Sequence, residues 1–240
     1  MSTLLRTEGL TKRFRGLLAA DNLDFALAKG EVRCVIGPNG AGKTTFISMI
    51  SGHVEPTAGS ITFKDRDITA FSVPRRAQFG IGRKFQTPSV FEGLSTFANL
   101  ELAVLRRGKS ASERRRAIDA ILETIRLDEE RDTPAQFLSH GQRQWLEIGL
   151  LLANEVELLL LDEPTAGMSR ADTNRTIELL QRIGERRITK VIIEHDINFV
   201  RELRAPIMVL HLGRVLREGS FDDIAADEQI RQVYLGTAHA

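Results

Sequence analysis

Apolar residues occur along this chain in short, nearly unbroken runs that are separated by longer amphipathic stretches. Such runs are typical of strands whose two faces are both covered, as in a parallel sheet. The runs predict strands at residues 32–36, 81–85, 158–161, 191–193 and 207–210. Segments with helical spacing lie between them, at residues 43–50, 113–125 and about 169–185. The alternation of strands and helices indicates an α/β fold.

Two regions depart from this pattern. Residues 22–30, NLDFALAKG, alternate polar and apolar, and residues 60–68, SITFKDRDI, do so more weakly. Both read as antiparallel strands with one exposed face. Residues 88–153 contain no convincing strand and are helical and charged, with a capping box at Ser110-x-x-Glu113. We therefore expect a single domain over residues 1–240, in which a helical subdomain (88–153) is inserted into a core with an antiparallel β part (1–87 and 154–240).

Composition narrows the class of protein. The 240 residues carry a formal net charge of +1 and 27% charged side chains, which gives no support to a nucleic-acid partner. Arginine clusters at 106–107, 114–116 and 186–187 fit solvated faces. The single cysteine, Cys34, allows no disulfide within the chain, and we expect it to be a buried thiol in a reducing compartment. No signal peptide or membrane-spanning run is evident, so another chain would have to hold this protein at a membrane.

Residues 37–44, GPNGAGKT, form a glycine-rich loop between a predicted strand and a predicted helix. This spacing in this context is the phosphate-loop pattern. Glycines let successive backbone N–H groups point inward, and the helix N-terminus adds positive potential. We expect Lys43 to reach the β- and γ-phosphates of a nucleotide and Thr44 to bind magnesium. The alternative is an ordinary glycine-rich turn.

An acidic pair follows four leucines in LLLLDEPTAG, residues 158–167. Ligands of open parallel sheets gather at the carboxyl ends of the strands, so Asp162 and Glu163 would lie beside the phosphate loop if the two strands are neighbours. Asp162 would bind magnesium and Glu163 would polarise the attacking water. Two carboxylates near three phosphates need a metal ion to offset their repulsion. A capping pair at a strand end is the alternative.

Three further residues are weaker candidates when each is taken alone. Gln86 could hold a magnesium-bound water without adding charge, although a lone glutamine is usually on the surface. His195 ends KVIIEH and could donate a hydrogen bond to the γ-phosphate, or be a histidine of no special role. Phe14 could stack on adenine, and a core position is an equal alternative.

Residues 139–142, SHGQ, form a polar, glycine-bearing start to an apolar helix. Such a start is either a helix cap or an anion site, and the neighbouring sequence supplies no anion.

Taken in order, GPNGAGKTT, Gln86, LSHGQ, LLLLDEP and EHD resemble the ATP-binding subunit of ABC transporters over nearly the whole chain. The resemblance implies a phosphate-loop NTPase fold with ATP and Mg²⁺ as cofactors, and an enzyme that hydrolyses ATP. It also implies a second ATP-binding subunit, either a copy or a related sibling, together with transmembrane permease subunits and, indirectly, a solute-binding protein. The place of work would be the cytoplasmic face of the cell membrane, peripheral through the permease.

The resemblance also assigns roles to residues. It makes LSHGQ the signature motif, which binds the ATP held by the partner's phosphate loop, so the missing anion would come from a second chain. The implied ATP-binding residues are Phe14, Gly37, Pro38, Asn39, Gly40, Ala41, Gly42, Lys43, Thr44 and Thr45. The implied catalytic residues are Glu163, Lys43, His195 and Gln86, the metal ligands are Thr44, Gln86 and Asp162, and the signature residues acting in trans are Ser139, His140, Gly141 and Gln142.

Two departures from the family pattern stand out. His140 replaces the usual glycine of the signature motif, and AGMS, residues 166–169, takes the place of the D-loop by position alone. Within the family, GIGRKFQTPSVFEGLSTFANLEL, SHGQRQWLEIG and VYLG look closest to the urea importer of the branched-chain amino acid and urea branch. We therefore expect an importer ATPase for urea or short-chain amides.

The alternatives are a branched-chain amino acid importer, a soluble ABC ATPase of translation or DNA repair, and a small-molecule kinase. The loop at 87–97 would form a groove for a permease helix, with core packing of Val90, Phe91 and Phe97 as the alternative.

Overall fold

The protein, described here by a computed structural model, is seen over residues 2–85, 89–105, 110–185 and 187–235. Its strands are β1 (Thr3–Phe14), β2 (Leu17–Ala28), β3 (Val32–Ile36), β4 (Ala58–Phe63), β5 (Arg66–Asp67), β6 (Ile81–Lys84), β7 (Leu158–Asp162), β8 (Thr189–Ile193), β9 (Ile207–His211) and β10 (Arg214–Gly219). Its α-helices are α1 (Lys43–Ser51), α2 (Val73–Gln78), α3 (Thr96–Leu105), α4 (Ala111–Ile125), α5 (His140–Ala153), α6 (Arg170–Glu185), α7 (Ile197–Leu203), α8 (Phe221–Ala226) and α9 (Glu228–Leu235). A short 3₁₀ helix, Ala135–Phe137, precedes α5.

The strands form two sheets. A six-stranded sheet has the order β10-β9-β3-β8-β7-β6, in which β9, β3, β8, β7 and β6 are parallel and β10 is antiparallel to β9. A four-stranded sheet, β2-β1-β4-β5, is antiparallel throughout. The five predicted apolar runs are the five parallel strands. The predicted end of the second run differs, because Phe85 lies outside β6.

The parallel strands are covered on both faces, as their sequences predicted. Along β7, Leu159 and Leu161 belong to a core cluster shared with α3, α4 and α5, whereas Leu158 and Leu160 belong to a second cluster shared with α1 and the antiparallel sheet. All four leucines are fully buried. Burial of a leucine side chain contributes about 1.5–3 kcal/mol, so these strands hold the two halves of the core together.

The segment between β6 and β7 is helical in the part that the structure describes, apart from an isolated bridge between Ser95 and Pro134. Ser110 and Glu113 form the predicted capping box of α4. The helices α4 and α5 approach closely at Gly149, where an added Cβ would lie 2.8 Å from Ile125 Cδ1. Cys34 is buried, as expected, and burial raises the pKa of its thiol to about 12.

Candidate functional site at the carboxyl ends of the parallel strands

The phosphate-loop sequence connects the end of β3 to the start of α1, as its spacing predicted. Gly37 and Gly42 have φ values of 153° and 99°. A Cβ at Gly37 would lie 2.2 Å from the Leu210 carbonyl oxygen, and a Cβ at Gly42 would lie 2.2 Å from the Ala19 carbonyl oxygen. Only glycine fits these two positions, because the loop is pressed between β9 on one side and β2 on the other.

The side chain of Lys43 binds the start of the same loop. Its side chain is 8% exposed, and its Nζ donates to the carbonyl oxygens of Gly37 at 2.6 Å and Pro38 at 3.0 Å. Burial lowers the pKa of Lys43, and the carboxylates of Glu163 and Asp162 oppose that shift. The opposing effect places the acidic pair within electrostatic range of the loop. Pro38 and Ala41 line this loop, Asn39, Gly40 and Thr44 are exposed on it, and Thr45 is half-buried in the first turn of α1.

Asp162 ends β7 and is 3% exposed. The strands β3 and β7 are not neighbours, since β8 lies between them, but all three are parallel and end at the same edge of the sheet. One carboxylate oxygen, Oδ2, lies 3.3 Å from Arg83 Nη2. The other, Oδ1, is buried and has no hydrogen-bond partner among the described residues. Burial raises the pKa of Asp162, the Arg83 guanidinium lowers it, and Glu163 raises it further.

Glu163 follows in a left-handed conformation, with φ of 48°. Its N–H donates to the Ile193 carbonyl oxygen at 3.0 Å, and its carbonyl oxygen accepts from the Ala166 N–H at 3.1 Å. Its carboxylate Oε1 lies 3.4 Å from Nδ1 of His195, whose side chain is 62% exposed. A non-glycine residue in this region costs on the order of 1–3 kcal/mol, so the surrounding turn holds Glu163 against strain. The structure thus brings together two of the predicted catalytic residues.

A buried carboxylate that the sequence analysis did not single out supports both of them. Glu194 is 1% exposed and accepts hydrogen bonds from the Thr165 hydroxyl at 2.6 Å and the Thr165 N–H at 3.1 Å. It also accepts from the His195 N–H at 3.3 Å. Glu194 therefore ties the end of β8 to the turn that follows Glu163. A charged residue at the end of the apolar run KVII was the available signal.

Arg83 is a second residue that the sequence analysis missed. Its side chain is 7% exposed, and Nη1 donates to the hydroxyls of Ser48 at 2.9 Å and Ser51 at 3.2 Å on α1. Together with its ion pair to Asp162, these bonds join β6, α1 and β7 behind the phosphate loop. The signal was two adjacent cations, Arg83 and Lys84, inside an otherwise apolar strand.

Lys84 forms a buried ion pair across the helical region. Its side chain is 0% exposed, and Nζ lies 3.8 Å from Glu147 Oε2 on α5. Burial raises the pKa of Glu147 to about 7, while Lys84 and the N–H groups of Ser89 and Phe85 lower it. The carboxylate of Glu147 therefore lies near the N–H groups of both Phe85 and Ser89. Gln86, a predicted catalytic and metal-binding residue, lies outside the described residues.

Phe14 ends β1 and is 42% exposed, so the core alternative for this ring is wrong. The Nζ of Lys12 lies 5.0 Å from the ring centroid. Phe91 is also exposed, at 60%, whereas Val90 and Phe97 pack partly against the core. The core alternative therefore holds for Val90 and Phe97 and not for Phe91, and the groove for a permease helix stays a prediction.

The predicted cap at Ser139 is present at the start of α5. The Ser139 hydroxyl accepts from the Gln142 N–H at 3.2 Å, and the Gln142 side chain accepts from the Ser139 N–H at 2.9 Å. Ser139 and His140 are exposed, Gly141 is buried and Gln142 is half-buried. The cap alternative is thus correct, and it leaves the exposed helix start available to an anion.

A cleft of about 510 Å³ lies next to the site, between α2, β6 and the end of α5. Its walls include Ser51, His53, Arg83, Phe85 and Leu151. The rings of His53 and Phe85 are in edge contact, and the Arg83 guanidinium lies 4.7 Å from the Phe85 ring centroid. One wall of the cleft is therefore built from the residue that pairs with Asp162.

A glycine-rich loop closed by a buried lysine, beside two carboxylates at the same sheet edge, defines a phosphate-loop nucleotide hydrolase. The chain belongs to the ABC transporter family, whose profile matches residues 20–166. It has the α/β fold of ABC ATPases, with a mainly parallel core sheet and a helical subdomain, and it is an ATP-hydrolysing transporter ATPase. No helix among the described residues combines the length and the apolar character needed to cross a membrane.

Relatives and solved structures support this assignment over the whole chain. The lipopolysaccharide export system ATP-binding protein LptB of Acidithiobacillus ferridurans is 38% identical over 237 residues, with 98% of each chain covered. The high-affinity branched-chain amino acid transport ATP-binding protein LivG of Salmonella typhimurium is 33% identical over 251 residues, again with 98% of each covered. The ADP conformation of MJ1267, an ATP-binding cassette of an ABC transporter, superposes with a TM-score of 0.88 at 28% identity, covering 98% of this chain and 100% of that one.

Proposed function

We propose that this chain powers an ABC importer by binding and hydrolysing ATP between two ATP-binding subunits. The observation that carries the proposal is the separation of two phosphate-binding ends on different elements. The phosphate loop is pressed into the core at the end of β3, whereas the polar start of α5 lies exposed on the helical subdomain. An exposed helix start with a serine hydroxyl and backbone N–H groups suits the γ-phosphate held by another chain.

Within one chain, residues 37–45 would hold the triphosphate through their N–H groups, and Lys43 would leave its internal carbonyl partners for the phosphates. Internal hydrogen bonds of this kind keep the buried ammonium satisfied before nucleotide arrives. Phe14 would stack on the adenine, since its ring is exposed at the end of the β1–β2 hairpin.

Magnesium fits the acidic pair. The buried Oδ1 of Asp162 has no hydrogen-bond partner among the described residues, which suits an oxygen that faces a metal ion or a metal-bound water. The Thr44 side chain helps to lower the pKa of the same carboxylate, so the two groups lie near each other. Mg²⁺ prefers one or two protein oxygens together with waters and phosphate oxygens, so Thr44, Asp162 and Gln86 would be an adequate set. The ion would offset charge on the phosphates during hydrolysis.

Glu163 would orient the attacking water, and His195 would contact the γ-phosphate. Their side chains are 3.4 Å apart, so one water could contact both groups. The strained backbone of Glu163 and the three hydrogen bonds to Glu194 fix this pair before the substrate binds.

The partner surfaces follow from the same arrangement. A cassette similar to this chain, MJ0796, has a dimeric structure, and we propose a comparable pair here, of two copies or of this chain with a related one. The cleft beside Arg83 and Phe85 would receive a short helix of a permease subunit, which would place the protein at the cytoplasmic face of the membrane. A solute-binding protein would act indirectly, through the permease. Residues 88–153 would then move relative to residues 1–87 and 154–240.

For the solute, we propose urea or a short-chain amide, from the resemblance of GIGRKFQTPSVFEGLSTFANLEL and SHGQRQWLEIG to urea-importer subunits. The second candidate is branched-chain amino acids, which the 33% identity to LivG favours. Uptake of labelled urea, acetamide and leucine by cells lacking this chain separates the two. A selective loss of urea and amide uptake is the expected result. Loss of leucine uptake alone would support the second candidate, and unchanged uptake of all three would contradict an importer of either type.

A further inference from the structure

One face of the signature helix α5 is fastened to the segment that follows Glu163. The indole Nε1 of Trp145 donates to the Thr176 hydroxyl at 2.9 Å, and that hydroxyl lies 3.3 Å from the sulfur of Met168. Trp145 is 4% exposed and Thr176 is 0% exposed. A buried indole bonded to a buried hydroxyl is a fixed anchor, since neither polar group has water as an alternative partner.

The first turn of the same helix approaches the same segment. A Cβ built on Gly141 would lie 3.1 Å from Asp172 Cγ, so even an alanine here would crowd the first turn of α6. The Ser169 hydroxyl donates to the Asp172 carboxylate at 2.8 Å, which ties this turn to residues 166–169. Gly141 thus allows a close approach between α5 and α6 within its own chain, apart from any contact with a nucleotide.

His140 adds a contact that the usual glycine of the motif does not supply. Its Nε2 lies 3.1 Å from the Ala166 carbonyl oxygen, and a Cβ built on Gly167 would lie 3.6 Å from the same nitrogen. The Nε2–H group donates in this pair, and both the imidazolium and the neutral tautomer protonated at Nε2 can supply it. The N–H of Ala166 in turn donates to the Glu163 carbonyl oxygen at 3.1 Å.

We propose that His140 is a positioning residue that acts within its own chain, holding the turn 166–169 and through it the catalytic carboxylate of Glu163. This inference rests on the proposed function and deepens it. The signature helix binds the partner's ATP with Ser139, while its next residue steadies the hydrolytic turn of its own subunit. The two ATP sites of a pair are thereby linked through a chain of contacts from Ser139 to Glu163.

The first test uses the nucleotide-free chain. Backbone hydrogen exchange is measured at Ala166 and Met168, whose N–H groups donate to Glu163 and Thr165 in the turn. His140→Ala is expected to speed exchange at both amides about fivefold, because the net contribution of one ordinary hydrogen bond changes an opening equilibrium by about that factor. His140→Gln keeps a donor and is expected to restore much of the protection. Arg143→Ala is the control: Arg143 lies on the same helix, is half-buried and pairs with the exposed Glu92 of another segment, so its loss should change neither amide.

The second test separates action within the chain from action on the partner. His140→Ala is expected to lower kcat about tenfold with little change in KM for ATP, because displacement of a reacting group by about 1 Å can cost on the order of 100-fold. In a Glu163→Gln background, His140→Ala should leave the ATP-dependent dimer affinity within about twofold of the parent, since the loss acts through Glu163.

Two results would overturn the proposal: unchanged exchange at Ala166 and Met168, or a tenfold weaker dimer in the Glu163→Gln background. The second would mean that His140 contacts the partner's nucleotide. If the Glu163→Gln parent forms no ATP-dependent dimer, the proposed two-chain site fails instead, and the exchange experiment still decides the role of His140.

Discussion

The phosphate-loop end of β3 and the signature end of α5 are both built to bind phosphate, yet they are held in opposite ways. The first is fixed by close backbone contacts with β2 and β9, by a buried lysine and by the ion pair of Arg83 with Asp162. The second is shaped by its own capping box and by the contact of His140 with Ala166, and it leaves Ser139 and His140 exposed. The contrast indicates that the phosphate-loop end is fixed before nucleotide binds, whereas the signature end faces outward, where a second molecule can reach it.

The largest expected effect is on catalysis at the rigid end. Glu163→Gln should lower ATP turnover about 10³-fold while ATP affinity stays nearly native, because general-base contributions typically amount to 10²–10⁴-fold. Phosphate release and nucleotide binding, measured on the same preparation, check this. A variant that hydrolyses ATP at the native rate would remove Glu163 from the catalytic role.

Next in size is the buried ion pair behind the loop. Arg83→Met should lower the free energy of unfolding by about 3–5 kcal/mol, because it leaves the Asp162 carboxylate buried without its cation. Denaturant titration without nucleotide measures the loss. Arg214→Met is the control: Arg214 is 74% exposed and pairs with Asp21, so its loss should cost under about 1 kcal/mol. Equal losses of stability for the two variants would contradict the claim that the Arg83–Asp162 pair fixes the phosphate-loop end of the site.

A smaller effect separates two glycines of the same loop. Gly42→Ala combines a φ of 99° with a Cβ only 2.2 Å from the Ala19 carbonyl oxygen, and it should cost about 2–4 kcal/mol and impair ATP binding. Gly40→Ala has a φ of 78° but no atom within 4 Å of the added Cβ, so only the backbone strain of about 1 kcal/mol applies. Thermal unfolding of both variants tests the difference, and a milder loss for Gly42→Ala would contradict it.

The smallest expected effect on stability lies at the exposed end. Ser139→Ala should cost about 1 kcal/mol through loss of the N-cap, leave ATP binding by the isolated chain unchanged, and reduce turnover by the pair. ATP binding is measured at a chain concentration too low for dimerisation, and ATP turnover is measured at a chain concentration that permits it. An equal loss of binding and turnover would show that Ser139 acts in its own chain.

The parts of the fold that sequence could predict were the ones set by local pattern. The runs at β3, β7, β8 and β9 are mainly apolar on both faces, so their position in a covered parallel sheet followed from composition. The strand β6 carries Arg83 and Lys84 and was predicted with less support from its own residues. The strand β1 was missed because its polar residues and its register shifts against β2 break the regular alternation by which an exposed strand is recognised in a sequence. The exposed strand β10 has no buried residue and no clear alternation, so it gave no pattern to read.

The residues of the site likewise divide into those that a local sequence pattern predicts and those that it does not. The phosphate loop and the acidic pair are contiguous in sequence, and their order along the chain fixed where they would meet. The charges of Glu194, Arg83 and Lys84 inside apolar runs were visible in the sequence, but their partners could not be inferred, because each depends on which distant side chain the fold brings opposite a buried charge. For the same reason, the contact of His140 with Ala166 becomes visible only once α5 is placed against the turn after Glu163.

The most direct measurement of the two-chain site is nucleotide-dependent cross-linking. Cys34 is buried, and its raised pKa keeps the thiol protonated. The native cysteine should therefore not react with the linker, and only introduced cysteines would be cross-linked. Chains carrying Asn39→Cys in the exposed phosphate loop are mixed with chains carrying Ser139→Cys, with Glu163→Gln in both, and are treated with a short thiol-reactive linker. The account predicts a cross-linked species of twice the chain mass with ATP and Mg²⁺ and almost none without nucleotide. The same small amount of cross-link under both conditions, at saturating ATP, would contradict it.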